Sequence, residues 1–116
     1  MPTDIRAQVK EVPVSAQKVR LVIDTIRGKD ALEALDILRF MQPKPAKSIV
    51  KLLRSAMANA EENFGISRDE LFVYQIFADV GPTRKWRRFG ARGRIKPWLR
   101  RSAHVTIVLR EYEDNQ

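Results

Sequence analysis

Residues 72–80, FVYQIFADV, and residues 103–109, AHVTIVL, bracket residues 84–101, RKWRRFGARGRIKPWLRR, and the order of these three stretches decides the fold. The first is rich in aromatic and β-branched residues. The last alternates Val105, Ile107 and Leu109 against His104, Thr106 and Val108, so each predicts a strand. Between them stand nine basic residues (Arg84, Lys85, Arg87, Arg88, Arg92, Arg94, Lys96, Arg100, Arg101) and no acidic one. Gly81-Pro82 closes the first strand and Ser102-Ala103 opens the second, while Gly90 and Gly93 lie where a chain reversal needs them. The pattern predicts a β-hairpin arm that projects beyond a sheet. With about nine residues in each leg at ~3.3 Å apiece, it reaches roughly 30 Å. Trp86 and Trp98 are equidistant from Arg92, so a symmetric hairpin pairs them across its strands.

The chain has 116 residues, 22 Lys plus Arg against 14 Asp plus Glu, a net charge of +8 and a pI near 10.3. Outside the arm, 13 basic residues stand against all 14 acidic ones, so the whole net charge resides in residues 84–101. Such density repels itself unless it is solvated or neutralised, and a polyanion is the partner it suggests. Seven of the nine cations are Arg, whose planar fork suits phosphate oxygens and base edges. Trp86, Phe89 and Trp98 are interleaved with them, as suits unstacked RNA bases. The plainer readings are a solvated or disordered basic loop, and tryptophans that pack on each other or on the body. Two tryptophans in one run weigh against the loop.

Working outward, Ile5 to Val12 alternates Ile5, Ala7 and Val9 against Arg6, Gln8 and Lys10, a half-exposed strand that Pro13 ends for want of an N–H. Ser15 reads as a helix N-cap, with Val14 and Val19 placed as a hydrophobic staple. Val19, Val22, Ile23 and Ile26 make one apolar stripe, and Gly28 marks the stop. Asp30 and Glu33 have capping-box spacing before a second helix carrying Leu32, Leu35 and Leu38. Gln42 to Pro45 breaks it. A third helix starts near Pro45, with Ile49, Leu52, Leu53, Ala56, Met57 and Ala60 at helical spacing, and stops near Asn63 to Gly65. The expected architecture is α+β: a small antiparallel three-stranded sheet with three helices on one face and a long protruding β-hairpin. Residues 1–116 read as one domain, with a body of 1–80 and 102–112 and an arm of 81–101.

The inventory argues against an enzyme. There is one His and no Cys, and no phosphate-cradling glycine motif, dinucleotide fingerprint or zinc motif. No cofactor or metal is expected. Ser102 and His104 are near neighbours on an alternating strand, and the ordinary strand reading suffices for them. The first residues, MPTDIRAQVKEV, lack the apolar run of a signal peptide, and no run approaches the ~18 residues that span a membrane. The expectation is a soluble cytoplasmic protein, with an organelle left open. A DNA-binding β-ribbon is the main competing class, since such a ribbon also enters a major groove. A protein-binding scaffold is a third.

Several stretches together carry a resemblance. Ser15-Ala16-Gln17-Lys18-Val19-Arg20-Leu21-Val22, Ile26-Arg27-Gly28-Lys29, Ser55-Ala56-Met57-Ala58-Asn59-Ala60-Glu61-Glu62-Asn63, Gly81-Pro82, Ala91-Arg92-Gly93-Arg94 and His104-Val105-Thr106-Ile107-Val108-Leu109 occur in this order over nearly the whole chain. In this the chain resembles the bacterial-type family of the twenty-second protein of the large ribosomal subunit. The resemblance implies a non-enzymatic constituent of the large subunit that binds and organises its rRNA, with the hairpin lining the tunnel by which nascent peptide leaves. Carried over by position, Lys18, Arg20, Lys29, the arm's nine cations with Trp86, and His104 at the hairpin base would contact rRNA. Lys85, Trp86, Arg87, Arg88, Phe89, Gly90, Ala91 and Arg92 would form the tunnel-facing tip. The implied partners are large-subunit rRNA, neighbouring large-subunit proteins and the nascent polypeptide, with a monomer outside the ribosome. Phe89-Gly90 stands where the family commonly has Pro-Arg, and Ile95 where a small residue is usual.

Overall fold

The computed structural model describes residues 4–41, 45–81, 84–89 and 95–112, with 84–89 and 95–100 described by their backbone. The elements run β1 (Asp4–Val12), α1 (Ala16–Ile23), α2 (Ala31–Arg39), α3 (Pro45–Phe64), β2 (Leu71–Val80), β3 (Arg84–Phe89), β4 (Ile95–Arg100) and β5 (Ala103–Glu111). A 3-10 turn at Arg68–Glu70, which no sequence signal announced, precedes β2. Antiparallel strands in the order β1-β5-β2 form one sheet, and β3 with β4 forms a separate antiparallel ribbon. The α+β class and the three helices are as expected.

The last strand of the chain is the central one of its sheet, and this corrects one expectation. Alternation along β5 predicts Thr106 and Val108 open to solvent, yet they are only 1% and 8% exposed. Thr106 lies between Gln8 and Phe77, and Val108 between Arg6 and Gln75. Long side chains on both neighbouring strands shield the shorter one between them. On the opposite face Val105, Ile107 and Leu109 are fully buried, beside Val9, Ala7 and Ile5 of β1 and Ala78, Ile76 and Val73 of β2. The helices cover that face.

Along β1 the alternation holds until Glu11, which adopts φ 55° while the register shifts between Val9 and Val12. This bulge turns Val12 inward, to 3% exposure. The Val14 N–H then donates to the Val12 carbonyl at 2.7 Å, a tight turn about Pro13 that launches α1. Ser15 occupies the N-cap position with extended backbone, but its hydroxyl makes no capping bond. The stripe of Val19, Val22 and Ile23 is buried as expected, yet α1 ends at Ile23, before Gly28. The Thr25 hydroxyl donates to the Val22 carbonyl at 2.6 Å, competing for a helical acceptor. Ile26 stays buried through the turn that follows. Gly28, at φ 79°, instead brings the chain onto the edge of β2, where its N–H donates to Val73 O and Val73 N–H donates to Lys29 O.

Asp30 sits at the N-cap of α2 without a side-chain cap, so the expected capping box does not form. The buried stripe is Ala31, Ala34, Leu35 and Leu38, and Leu32 is 41% exposed. The helix packs against α3, with Leu32 outside the buried stripe. All six expected apolar positions of α3 are buried, and the helix ends at Phe64 before Gly65 at φ 65°. Residues 42–44 of the expected break at Gln42 to Pro45 lie outside the described residues.

At the end of the sheet away from the hairpin, Arg110 makes a two-point ion pair with Asp4, Nε to Oδ1 at 2.6 Å and a terminal nitrogen to Oδ2 at 3.0 Å. Its guanidinium lies 3.3 Å from the centre of the Tyr74 ring. The hydrogen bond to Arg110 holds the Asp4 carboxyl below its ordinary pKa and in turn raises that of Arg110. These contacts join all three strands of the sheet.

Candidate nucleic-acid interface

The hairpin continues the β2–β5 pair. Val80 faces Ala103, and the Gly81 N–H donates to the Ser102 carbonyl at 3.0 Å. The next described pair is Arg84 with Arg100, so the outgoing leg has one residue more than the returning leg and the two ladders are offset by one. Six pairs follow, from Arg84–Arg100 to Phe89–Ile95, and Trp86 stands directly opposite Trp98, as the symmetric hairpin required. Gly90 to Arg94, which include the tip residues Gly90, Ala91 and Arg92, lie outside the described residues, as does Pro82. The long axis of the molecule is 72 Å against 25 and 19 Å across. Its radius of gyration is 17.5 Å, where a compact chain of this length has about 13 Å. A protruding arm accounts for the excess.

The register pairs like-charged residue types across the ribbon. Arg84 faces Arg100, and Arg88 faces Lys96. Like charges directly opposite each other on antiparallel strands are destabilising, and acidic residues are absent from both strands to offset them.

The neck is built for close approach. A Cβ on Gly81 would lie 2.5 Å from Ser102 Oγ and 3.3 Å from both the Ser102 carbonyl carbon and His104 Cε1. A side chain there would force Ser102 Oγ to move and crowd the returning leg. Gly81→Ala is expected to lower stability in thermal melts by about 1–3 kcal/mol. Combining it with Ser102→Ala should restore part of the loss, and a neutral Gly81→Ala would show that the neck tolerates a wider spacing. His104, half-buried, accepts a hydrogen bond at Nδ1 from the Glu11 N–H at 3.0 Å, so it anchors the β1 bulge to the hairpin base. Accepting there requires Nδ1 to be unprotonated.

Of the residues singled out in the sequence, Arg20 of α1, Arg101 at the end of the arm and His104 at its base gather near the neck, whereas Lys29 does not. Lys29 pairs with Val73, about seven residues down β2 and so ~23 Å from Val80. Lys18 is exposed on α1 near the neck. A guanidinium nitrogen of Arg20 donates to the Ala78 carbonyl at 2.9 Å, and one of Arg27 donates to the Ile76 carbonyl at 2.8 Å. These two arginines cap the outer edge of β2, and Arg27 is further tied to Asp24 at 2.7 Å. Sequence reasoning missed the Arg27 role. It also missed an open cleft of about 410 Å³ between the start of α1 and the neck, lined by Gln17, Arg20, Val80, Arg101, Ser15 and Ser102 among others.

Residues 7–110 match the family described as Ribosomal protein L22p/L17e. The chain belongs to this family. Among its relatives is the "Large ribosomal subunit protein uL22" of Thermomicrobium roseum, 47% identical over 108 residues, covering 93% of this chain and 92% of the relative. The protein of the same description from Carboxydothermus hydrogenoformans is 45% identical over 111 residues, covering 96% and 98%. That of Dehalococcoides mccartyi is 45% identical over 106 residues, covering 91% and 97%. Membership thus rests on the body and the arm together, since the match runs from within β1 to the end of β5. Among the described residues no group of His, Cys, Asp and Glu could hold a metal ion, and no helix is long and apolar enough to cross a membrane.

Proposed function

We propose that this family member is a structural constituent of the large ribosomal subunit that binds and organises large-subunit rRNA, and that its arm lines the nascent-peptide exit tunnel. The observation that carries the reading is the ribbon itself, whose cross-strand pairs set Arg84 against Arg100 and Arg88 against Lys96. Phosphates placed between such pairs turn a repulsion into a charge-assisted bridge. RNA folding around the arm displaces counterions, and the body at the arm's base fixes its direction. Lys85 to Arg92 would form the tunnel-facing tip, with neighbouring large-subunit proteins and the nascent polypeptide as further contacts. The protein works in the ribosome, as a scaffold and not as an enzyme.

The test is photo-crosslinking from positions 86 and 92 in purified large subunits. The expected result is rRNA adducts from position 86, and adducts to nascent chain from position 92 in translating ribosomes. Adducts only to proteins of the outer surface, or failure of the chain to enter large subunits, would overturn the reading.

A further inference from the structure

We propose that the outer edge of β1, from Asp4 to Lys10, is a docking site for an extended acidic segment of another protein, which joins the sheet as a fourth, antiparallel strand. This assigns a protein-binding edge to the body and does not depend on what the arm binds.

The sheet has two edges, and they are treated differently. In an antiparallel ladder the N–H and C=O of one residue point to the same side, and the side alternates along the strand. On the outer side of β2, Val73 bonds Gly28 and Lys29, Arg27 donates to the Ile76 carbonyl and Arg20 to the Ala78 carbonyl. The β2 residues that turn towards β5 are therefore Gln75, Phe77 and Asp79, opposite Val108, Thr106 and His104. The intervening residues of β5, Val105, Ile107 and Leu109, then turn towards β1, where they meet Val9, Ala7 and Ile5. Asp4, Arg6, Gln8 and Lys10 are left with their backbone groups directed away from the sheet. Among the described residues nothing bonds to this row. From Asp4 to Lys10, at ~3.3 Å a residue, the open ladder is roughly 20 Å long.

The side chains along the edge specify the partner. Arg6, Gln8 and Lys10 are exposed on the face away from the helices, and Arg6 and Lys10 have no ion-pair partner among the described residues. Asp4, the acidic member of the row, is held by Arg110. A strand laid alongside places the residues opposite this row on the same face, so acidic side chains there meet cations. On the other face Ala7 and Val9 are only half-buried, whereas Ile107 and Val105 opposite them are fully buried. The alternate residues of the incoming strand fall beside Ala7 and Val9, and apolar ones complete their cover. The matching segment thus alternates acidic with apolar side chains. A second copy of this chain matches poorly, since it brings the same cations and a further net charge of +8 to the edge. Edge cations deter self-association, and by the same repulsion they select a strand of opposite charge.

The experiment titrates the full-length, isotope-labelled chain with a blocked peptide, Thr-Glu-Val-Glu-Val-Glu-Thr, and follows amide exchange by NMR. A scrambled peptide, Glu-Glu-Glu-Thr-Val-Val-Thr, has the same charge, so attraction to the arm is common to both. The alternating peptide is expected to slow exchange of the Arg6, Gln8 and Lys10 amides at least about tenfold at saturation. Its half-saturation should lie at least about tenfold below that of the scrambled peptide. N-methylating its glutamates, whose N–H groups face β1, should abolish the effect, whereas N-methylating its valines should not. Gln8→Pro removes an outward N–H and leaves the β1–β5 ladder intact, so it should keep the parent's cooperative melt while losing the preference for the alternating peptide. The double variant Arg6→Glu, Lys10→Glu retains every backbone group and decides the matter if Gln8→Pro does not fold. It should weaken the alternating peptide about tenfold.

If the two peptides titrate alike, with shifts outside β1, acidic peptides merely neutralise the arm and the edge takes no strand. Protection of the same amides without peptide, rising with protein concentration, would make the occupant a second copy. Stronger protection by single-stranded RNA than by the alternating peptide would make the edge a nucleic-acid surface. Each of these outcomes overturns the proposal.

Discussion

A chain in which Arg84 to Arg100 are replaced by Asn-Gly is expected to keep its helical circular dichroism per molecule and its cooperative melt, while losing RNA affinity by at least about a hundredfold. The body should survive because its described core runs from Ile5 to Ala78 and resumes from Ala103 to Leu109, and because β3 and β4 pack chiefly on each other. The body (1–80 and 102–112) and the arm (81–101) are proposed to be separable on this ground. The binding loss follows from charge. The replacement removes eight basic residues and takes the net charge from +8 to zero. If about six of the arm's cations meet phosphates, the full chain gives a log-log salt slope of roughly −4, and the shortened chain one of about −1. Stability should rise slightly if anything, since the like-charged pairs Arg84–Arg100 and Arg88–Lys96 disappear. Loss of helical signal in the shortened chain would show that the body depends on the arm. An unchanged slope would move the RNA contacts elsewhere on the molecule.

How much of this was legible in the sequence depends on whether the information was local. The six apolar positions of α3, the alternation of β1 up to Val9, and the arm between two strands are local patterns, and all appear where expected. Trp86 opposite Trp98 follows from counting about Arg92. The misreadings come from long-range facts. Thr106 and Val108 are buried because the last strand lies between the first and the second, an order that no property of residues 103–109 reveals. Glu11 bulges where its N–H reaches His104, 93 residues away, and Arg20 and Arg27 spend donors on carbonyls 58 and 49 residues distant. An arginine on an exposed helix face reads as a phosphate contact until the strand edge it caps is known. For Arg20 the edge claims one guanidinium donor, with the Ala78 carbonyl as its acceptor.

Ile107→Ala should be the most damaging single truncation in the body, lowering stability by about 4 kcal/mol and the melting temperature by roughly 20 °C. Ile107 is fully buried at the middle of the central strand. Its neighbours across the sheet are Ala7 and Ile76, and α1 and α3 pack against its strand. Ala7 is too small to expand into the space left behind, and the backbones of three paired strands cannot close around it without breaking ladder hydrogen bonds. Most of the vacated volume therefore persists as a cavity, which places the cost in the upper part of the usual range for such truncations. Leu32→Ala is the matched comparison. By helical periodicity Leu32 reads as core, but it is 41% exposed, so its truncation should cost less than about 1 kcal/mol. Well below either transition, both variants should bind single-stranded RNA within about twofold of the parent chain and with the same salt slope, because neither change alters a phosphate contact. Equal losses of melting temperature from the two substitutions would return Leu32 to the core and place α2 a step round from its position in this structure. A drop of only a few degrees for Ile107→Ala would mean that the sheet relaxes into the cavity, and that the three strands are less tightly registered than their ladders imply.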